Sequence, residues 1–272
     1  MKQKGYKIML TIDKLYTILD GVAPFDISKE IIKNGGHDNS GIILNLHKNV
    51  EKIAFSLDFS EKAVDFAVRN KCDTLITHHP AIYYPISEID HSEPLSSALV
   101  KAIKKGINVI SMHLNLDEAQ KGIDHYLAKA LGATNTKIIE KDYLDYGYGR
   151  EFCLNATTLK DLVSSLKKAL NSNKITVYGS QNFTFNKVAS FCGGGSSHAL
   201  KAVCDNKTDA CVIVTSDAPH HVIKELVERG KAVVLPTHYS AENYGFKKFY
   251  GDISQTILGS AQTYYFEDKR FL

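Results

Sequence analysis

The sequence predicts a layered α/β protein, because segments typical of strands alternate with segments typical of helices. KIAFSLDFS (52–60) alternates apolar and other residues as a β-strand does. EKAVDFAVRN (61–70) then repeats apolar residues at helical spacing, and DTLIT (73–77) is the next strand. This βαβ order is typical of a sheet covered by helices.

The same alternation predicts the later elements in order. Helices are predicted around LSSALVKAIKKG and in IDHYLAKALGA (123–133), TLKDLVSSLKKAL, SSHALKAVC and PHHVIKELVERG. Strands are predicted in INVISM (107–112), KITVYG, NKVASFC, ACVIVT and AVVLP. Residues 134–150 (TNTKIIEKDYLDYGYGR) lose this periodicity and accumulate Gly and Tyr, which predicts a crossing into a second lobe.

Length and composition limit the class of protein. A chain of 272 residues can form one large or two ordinary domains. The net charge of +3 is too weak to indicate a nucleic-acid partner. Asp13 and Lys14 interrupt the apolar residues near the N-terminus, and no apolar run approaches the roughly 18 residues of a membrane span, so neither a signal peptide nor a membrane helix is expected.

The cysteines favour a reducing compartment. There are five, an odd number, and they are scattered without CxxC spacing. Disulfides are rare in the cytoplasm, which is therefore the expected location. None has a His or Cys at metal-ligand spacing, so small core residues are expected at Cys72, Cys153, Cys192, Cys204 and Cys211.

Residues of metal-ligand type follow three of the predicted strands. In α/β sheets the ligand crevice lies beyond the carboxyl ends of the strands. The residues in question are His78 and His79 after DTLIT, His113 and Asp117 after INVISM, and His238 and Glu242 after AVVLPT. A single histidine at a strand end is more often a hydrogen-bonded loop residue, but three such ends together favour a metal site.

The spacing of these residues predicts two neighbouring cations. Successive side chains of extended backbone project in opposite directions, so His78 and His79 are expected to serve one ion each. Pro80 favours extended backbone at His79. If THYSAEN is helical, His238 and Glu242 share a face, and the carboxylate can bridge two ions. Such pairs, about 3.5 to 4 Å apart, are typical of two-metal hydrolases.

Two other motifs leave alternatives open. His220 and His221 stand where a helix should begin, so capping and surface exposure compete with metal ligation. FCGGGSS (191–197), with its glycines Gly193 to Gly195, could expose backbone N–H groups to a phosphate. It lacks the lysine of a phosphate-binding loop, so a tight strand-to-helix turn is an equal alternative.

Several of these stretches together resemble the NIF-three-like family, the GTP cyclohydrolase I type 2 homologues. The resemblance covers nearly the whole chain and is carried by DNSGIILN, LDFS, TLITHHPAIY, HLNLD, GYGR, KVASFCGGGSS, DACVIVTSDAPHH and THYSAEN. It implies that a dinuclear metal centre is held by His78, His79, Asp117, His238 and Glu242. Glu242 would bridge the ions, and His113 would be an additional ligand or a neighbour of the ligands.

The resemblance also implies an architecture. Two related α/β lobes would hold the metals in the cleft between them, and the chain would assemble into a homohexameric ring. The first lobe is predicted over 1–133 and the second over 134–235, with a C-terminal segment, 236–272, returning to the first. The sequence departs from the family pattern at Thr237, where glycine is usual, and at Ser216 in TSDAPHH.

The predicted function is metal-dependent hydrolysis of a small molecule, such as a nucleotide or a pterin-like ring. His113 or Asp217 could carry protons. A metal-binding regulatory or chaperone-like protein without turnover is the alternative. Mixed imidazole and carboxylate ligands suit Zn, Fe, Mn and Co alike, so the metal is left open.

Overall fold

The computed structural model describes residues 9–272 and confirms the α/β fold class. Its strands are Leu10–Thr11 (β1), Gly41–Leu44 (β2), Asn49–Val50 (β3), Lys52–Ser56 (β4), Thr74–Thr77 (β5), Asn108–Ser111 (β6), Thr134–Tyr143 (β7), Tyr146–Thr158 (β8), Ile175–Tyr178 (β9), Thr184–Phe191 (β10), Val212–Thr215 (β11), Ala232–Pro236 (β12) and Gln262–Phe266 (β13). Its helices are Ile12–Val22 (α1), Phe25–Lys33 (α2), Glu61–Arg69 (α3), Pro94–Lys104 (α4), Leu114–Glu118 (α5), Ile123–Ala130 (α6), Leu159–Leu170 (α7), Ser196–Cys204 (α8), His220–Glu228 (α9) and His238–Thr256 (α10).

The described chain forms two compact units. The first contains the residues up to Leu116 and Phe249–Glu267, and the second contains Asp117–Lys248 and Asp268–Leu272. The predicted lobe boundaries after 133 and 235 stay predictions. Residues 1–8 lie outside the described residues. They belong to the predicted first lobe and to the N-terminal stretch in which no signal peptide was expected. Among residues 9–272, no helix combines the length and apolar character that crossing a bilayer requires.

The first unit is built on a five-stranded sheet with the order β13-β4-β5-β6-β2. The strands β13, β4, β5 and β6 are parallel, and β2 joins β6 antiparallel. The central strands β5 and β6 are buried at every position, as expected for parallel strands covered on both faces. A core cluster that includes Val64, Leu75, Leu99 and Val109 packs the helices against this sheet.

Helix α3 illustrates why the local sequence forms these elements. Ser60 caps its N-terminus, because the Ser60 hydroxyl accepts a hydrogen bond from the N–H of Ala63 at 3.2 Å. Ala63, Val64 and Ala67 recur at helical spacing and are buried. The short crossovers between β4, β5 and β6 therefore bring the carboxyl ends of three neighbouring strands to one edge of the sheet.

The second unit is built on a six-stranded sheet with the order β7-β8-β10-β11-β12-β9. The central strands β10, β11 and β12 are parallel, and the flanking strands are antiparallel. Phe152, Leu166 and Val214 belong to its apolar core. The carboxyl ends of β10, β11 and β12 also meet at one sheet edge, so the two units share this arrangement.

Residues 134–150 form regular strands, which corrects their interpretation as an aperiodic crossing. They supply β7 and the beginning of β8, which pair as an antiparallel hairpin. β7 is an edge strand and its first four residues are exposed, so it lacks the alternation of a half-buried strand. Its turn, at Leu144 and Asp145, contains neither Asn-Gly nor Asp-Gly, the usual hairpin signals.

Candidate metal centre

Three histidines of the first unit lie together at the edge of its sheet. We call His78, His79 and His113 the imidazole cluster. His78 and His79 follow β5, and His113 follows the neighbouring parallel strand β6. The ring centroids of His78 and His79 are 5.0 Å apart, and those of His113 are 5.5 and 5.7 Å from them. These three predicted residues thus lie together because they follow the carboxyl ends of neighbouring parallel strands.

The backbone at the histidine pair is bent and not extended. The N–H groups of His78 and His79 both donate to the carbonyl of Leu57, at 3.0 and 2.9 Å. The alternation of an extended strand therefore does not govern the directions of the two rings, which corrects the geometric reason given for them. One imidazole for each ion stays a prediction.

Each ring of this pair is oriented by a hydrogen bond at Nδ1. His78 Nδ1 lies 2.7 Å from the carbonyl oxygen of Met112, and His79 Nδ1 lies 2.6 Å from Oδ1 of Asp58. A carbonyl oxygen or a carboxylate can only accept, so Nδ1 carries the proton in both rings. The lone pair of the neutral imidazole is then on Nε2, which is how metal-binding histidines are commonly held.

His113 is held in the same way by a buried carboxylate. Its Nδ1 lies 2.7 Å from Oδ1 of Asp38, and its backbone N–H donates to the hydroxyl of Ser40 at 3.1 Å. Burial by itself would raise the pKa of Asp38. Hydrogen bonding and charge from His113, with hydrogen bonds from Ser40 and Ser28, instead lower this pKa to about 2. Asp38 is therefore an ionised acceptor beside the imidazole at neutral pH.

The second unit contains a different group of donors. We call Asp117, Cys192, His238 and Glu242 the carboxylate cluster. Asp117, Cys192 and Glu242 each offer a ligand atom, and these three atoms lie within 4.8 Å of one another. All three residues are buried. Asp117, Cys192 and Glu242 could therefore hold a metal ion together.

Cys192 was not predicted as part of the site. It follows β10, and its Sγ lies 3.4 Å from Oδ1 of Asp117. Burial raises the pKa of the Cys192 thiol well above its usual range, so the neutral S–H donates to the Asp117 carboxylate. The expected core location is right for Cys72 and Cys192 but wrong for Cys204, which is exposed at the last position of α8.

His238 and Glu242 share one face of a helical turn, as their spacing predicts. Both lie in the first turns of α10, and Nε2 of His238 is 2.8 Å from Oε2 of Glu242. The other ring nitrogen of His238, Nδ1, lies 2.5 Å from Oδ2 of Asp217. Asp217, predicted as a proton carrier, is thus placed as the residue that orients His238. Its role in proton transfer stays a prediction.

The two departures from the family pattern have local structural roles. Thr237 caps helix α10, because its hydroxyl accepts a hydrogen bond from the N–H of Ser240 at 3.2 Å. Ser216 is buried, and its hydroxyl donates to the carbonyl of Pro236 at 2.9 Å, which links the ends of β11 and β12. Neither replacement removes a candidate ligand.

The glycine-rich stretch forms a tight turn between β10 and α8. The N–H of Cys192 donates to Asp124 at 2.9 Å, and the N–H of Gly195 donates to the carbonyl of Cys192 at 3.2 Å. These two donors are used within the unit. His220 and His221 are exposed at the start of α9, which agrees with the surface alternative for that pair.

Asp58 and Asp38 could have been found by the rule that selected the histidines. Asp58 lies two residues beyond β4, the strand next to β5. Asp38 precedes β2, whose antiparallel pairing with β6 brings its beginning to the same sheet edge. Cys192 follows β10 in the same way, whereas Asp217, which follows β11, was predicted as a proton carrier. Asp58 and Asp38 were not predicted because the prediction considered candidate metal ligands and not the residues that orient them.

Relatives of this chain carry two kinds of name. A protein of Clostridium acetobutylicum named GTP cyclohydrolase 1 type 2 homolog is 26% identical over 238 residues, which cover 86% of this chain and 85% of that protein. A protein of the same name from Methanocaldococcus jannaschii is 28% identical over 246 residues, covering 90% and 95%. A Schizosaccharomyces pombe relative, named protein NIF3 homolog, is 27% identical over 220 residues, covering 75% and 77%.

Solved structures share the fold. A Bacillus cereus protein related to NIF3 matches with a TM-score of 0.83 at 18% identity, covering 95% of this chain and 97% of that one. Reduced HcgD from Methanocaldococcus jannaschii matches with a TM-score of 0.78 at 26% identity, covering 96% and 99%. The sequence model of Duf34/NIF3 (NGG1p interacting factor 3) matches residues 10–267. The family resemblance is confirmed, and the chain belongs to the DUF34/NIF3 family.

Proposed function

We propose that the chain binds two divalent cations and hydrolyses a small molecule, with a nucleotide or a pterin-like ring as the substrate class. One observation supports this most strongly: each of the four candidate histidines is hydrogen-bonded through Nδ1 to an oxygen acceptor. The acceptors are Met112, Asp58, Asp38 and Asp217. The proposed ligands are His78, His79, Asp117, His238 and Glu242.

The donor chemistry fits divalent metals. Imidazole nitrogens and carboxylate oxygens suit Zn, Fe, Mn and Co, and a thiol near Asp117 would favour the softer of these ions. Asp117 and Glu242 are 4% and 3% exposed, and burying carboxylates costs free energy that a cation would offset. The family resemblance is what joins the imidazole and carboxylate clusters into one dinuclear centre in this proposal.

Bound cations would supply Lewis-acid activation of water and polarisation of the attacked bond. The protein's own residues have separate tasks. Glu242 would bridge, and Asp58 and Asp217 fix the ring orientations of His79 and His238. His113, oriented by the ionised Asp38, is suited to take up and release a proton.

The alternative is a metal-binding regulatory or chaperone-like protein without turnover. The family description as an interacting factor favours this possibility. A homohexameric ring, which the resemblance implies, and a cytoplasmic location, which the scattered cysteines favour, are part of both proposals. The two differ in whether substrate reaches the ions, because an enzyme needs coordination positions that are open to water and substrate.

A substrate screen on the metal-loaded protein separates the two proposals. The screen uses nucleoside triphosphates, phosphoesters, esters and cyclic amides, with metal content measured on the same samples. We expect turnover that needs metal, that disappears in Glu242→Ala, and that survives in the control variant His221→Ala. Two bound ions without turnover of any substrate would favour the regulatory protein.

A further inference from the structure

Gly193 lies against the pair formed by His238 and Glu242. It is the first glycine of the turn after β10, and its φ of +58° is in the left-handed region that favours glycine. A Cβ built at this position would overlap Oε1 of Glu242 and would lie 3.1 Å from Nε2 of His238. By contrast, a Cβ at the neighbouring Gly194 would meet no atom within 4 Å.

The turn that carries Gly193 cannot easily retreat from Glu242. The buried carboxylate of Asp124 accepts the N–H of Cys192 at 2.9 Å and the hydroxyl of Ser190. The hydroxyl of the buried Tyr148 donates to the carbonyl of Cys192. Helix α6 and strand β8 therefore both hold the residue next to Gly193 through hydrogen bonds to its backbone.

The side chain of Glu242 is the part that can move. Glu242 is 3% exposed, and its carboxylate lies 2.8 Å from His238, at the far end of a flexible side chain on α10. A methyl group at position 193 would displace this carboxylate at lower cost than it would displace the clamped turn. The fold would survive, and the geometry of the ligands would change.

We propose that Gly193 is a positioning residue for Glu242. Because Gly193 has no side chain, the turn after β10 can pack directly against the Glu242 carboxylate and keep it beside His238. This inference deepens the proposed function, because Glu242 is the proposed bridging ligand. It also gives FCGGGSS a role that needs no phosphate. The first glycine of the stretch admits a carboxylate instead of binding an anion through N–H groups.

The test compares Gly193→Ala with Gly230→Ala in the full chain. Gly230 has a φ of +76° and no atom within 4 Å of a built Cβ, so its variant carries the backbone strain without the contact. We expect both variants to lose some thermal stability. Only Gly193→Ala should weaken Zn²⁺ or Co²⁺ binding, by about 10- to 100-fold, the usual range for neighbours of metal ligands.

Two further measurements do not require metal. The imidazole NMR signals of His238 in the metal-free protein should shift in Gly193→Ala and not in Gly230→Ala. The loss of stability caused by Gly193→Ala should also be smaller in a Glu242→Ala background, because the overlapping carboxylate is gone. If Gly193→Ala alone does not fold, the double variant Gly193→Ala/Glu242→Ala should still fold, because the overlapping carboxylate is gone.

Unchanged metal affinity and unchanged His238 signals in Gly193→Ala would overturn the inference. An equal stability loss in the two Glu242 backgrounds would overturn it as well. If the wild-type protein binds no metal but Gly193→Ala still shifts the His238 signals, the proposed function fails while the positioning role stands.

Discussion

The two units present different ligands on the same structural plan. In each, three neighbouring parallel strands end at one sheet edge, and a carboxylate beyond one strand orients a histidine beyond the next. Asp58 and His79 form this pair after β4 and β5, and Asp217 and His238 form it after β11 and β12. The first unit adds imidazoles, whereas the second adds buried carboxylates and a thiol.

Because their side chains differ, the two clusters are expected to contribute to metal binding in different ways. Neutral imidazoles can be buried at modest cost once Nδ1 is hydrogen-bonded, so the imidazole cluster is pre-oriented for metal. The carboxylate cluster concentrates negative charge in a buried place and gains most from a cation. We therefore expect the first cluster to contribute geometry and the second to contribute most of the electrostatic attraction.

The largest expected effect is the removal of the bridging carboxylate. Glu242→Ala should weaken the binding of both ions, whereas His79→Ala should mainly affect one, because a bridging ligand serves two ions. Isothermal titration with Zn²⁺ on metal-free protein measures the number of ions and their affinities. Equal losses of ion binding in the two variants would contradict the bridging role of Glu242.

The orienting carboxylates should have the next largest effect. Asp58→Ala and Asp217→Ala should each weaken metal binding about 10- to 100-fold, because the histidine loses the acceptor for Nδ1–H. Asp58→Asn and Asp217→Asn should lose less, since an amide oxygen still accepts that hydrogen bond. If one alanine variant binds metal like the wild type, the two units do not both depend on a carboxylate that orients a metal-binding histidine.

The Asp38–His113 pair predicts a pH effect on the stability of the metal-free protein. The pKa of Asp38 falls from its usual 3.8 to about 2 in the folded state, which corresponds to about 2 kcal/mol. The unfolded chain takes up this proton first, so the contribution is present above about pH 4 and is lost as the pH falls towards 2. Urea unfolding of wild type and Asp38→Asn across this range should show the difference shrinking with acid. A constant difference would contradict the assignment.

The smallest expected effect concerns the second histidine pair. His220 and His221 are exposed at the start of α9, outside both clusters. The double variant His220→Ala/His221→Ala should bind metal with wild-type stoichiometry and affinity in the same titration. Loss of an ion in this variant would mean that the surface pair takes part in binding.

Sequence periodicity predicted the elements whose burial it reflects. β5, β6 and β11 are buried at every position, and their apolar runs identify them. The exposed edge strand β7 carries no such signal and was missed. The candidate ligands were predicted because residues of metal-ligand type follow three strands of the same sequence. Cys192 follows a strand as the histidines do, but it was interpreted as a core residue because no His or Cys stands at metal-ligand spacing from it; tertiary structure brings Asp117 and Glu242 to it.

The number of ions bound by each chain tests the central claim most directly. The full chain is purified without added metal, stripped, reloaded with excess Zn²⁺ or Co²⁺, separated from free ions and measured by elemental analysis against protein concentration. We predict two ions per chain, falling below two in His79→Ala and remaining at two in His221→Ala. One ion or none per wild-type chain at saturating metal would contradict a dinuclear centre.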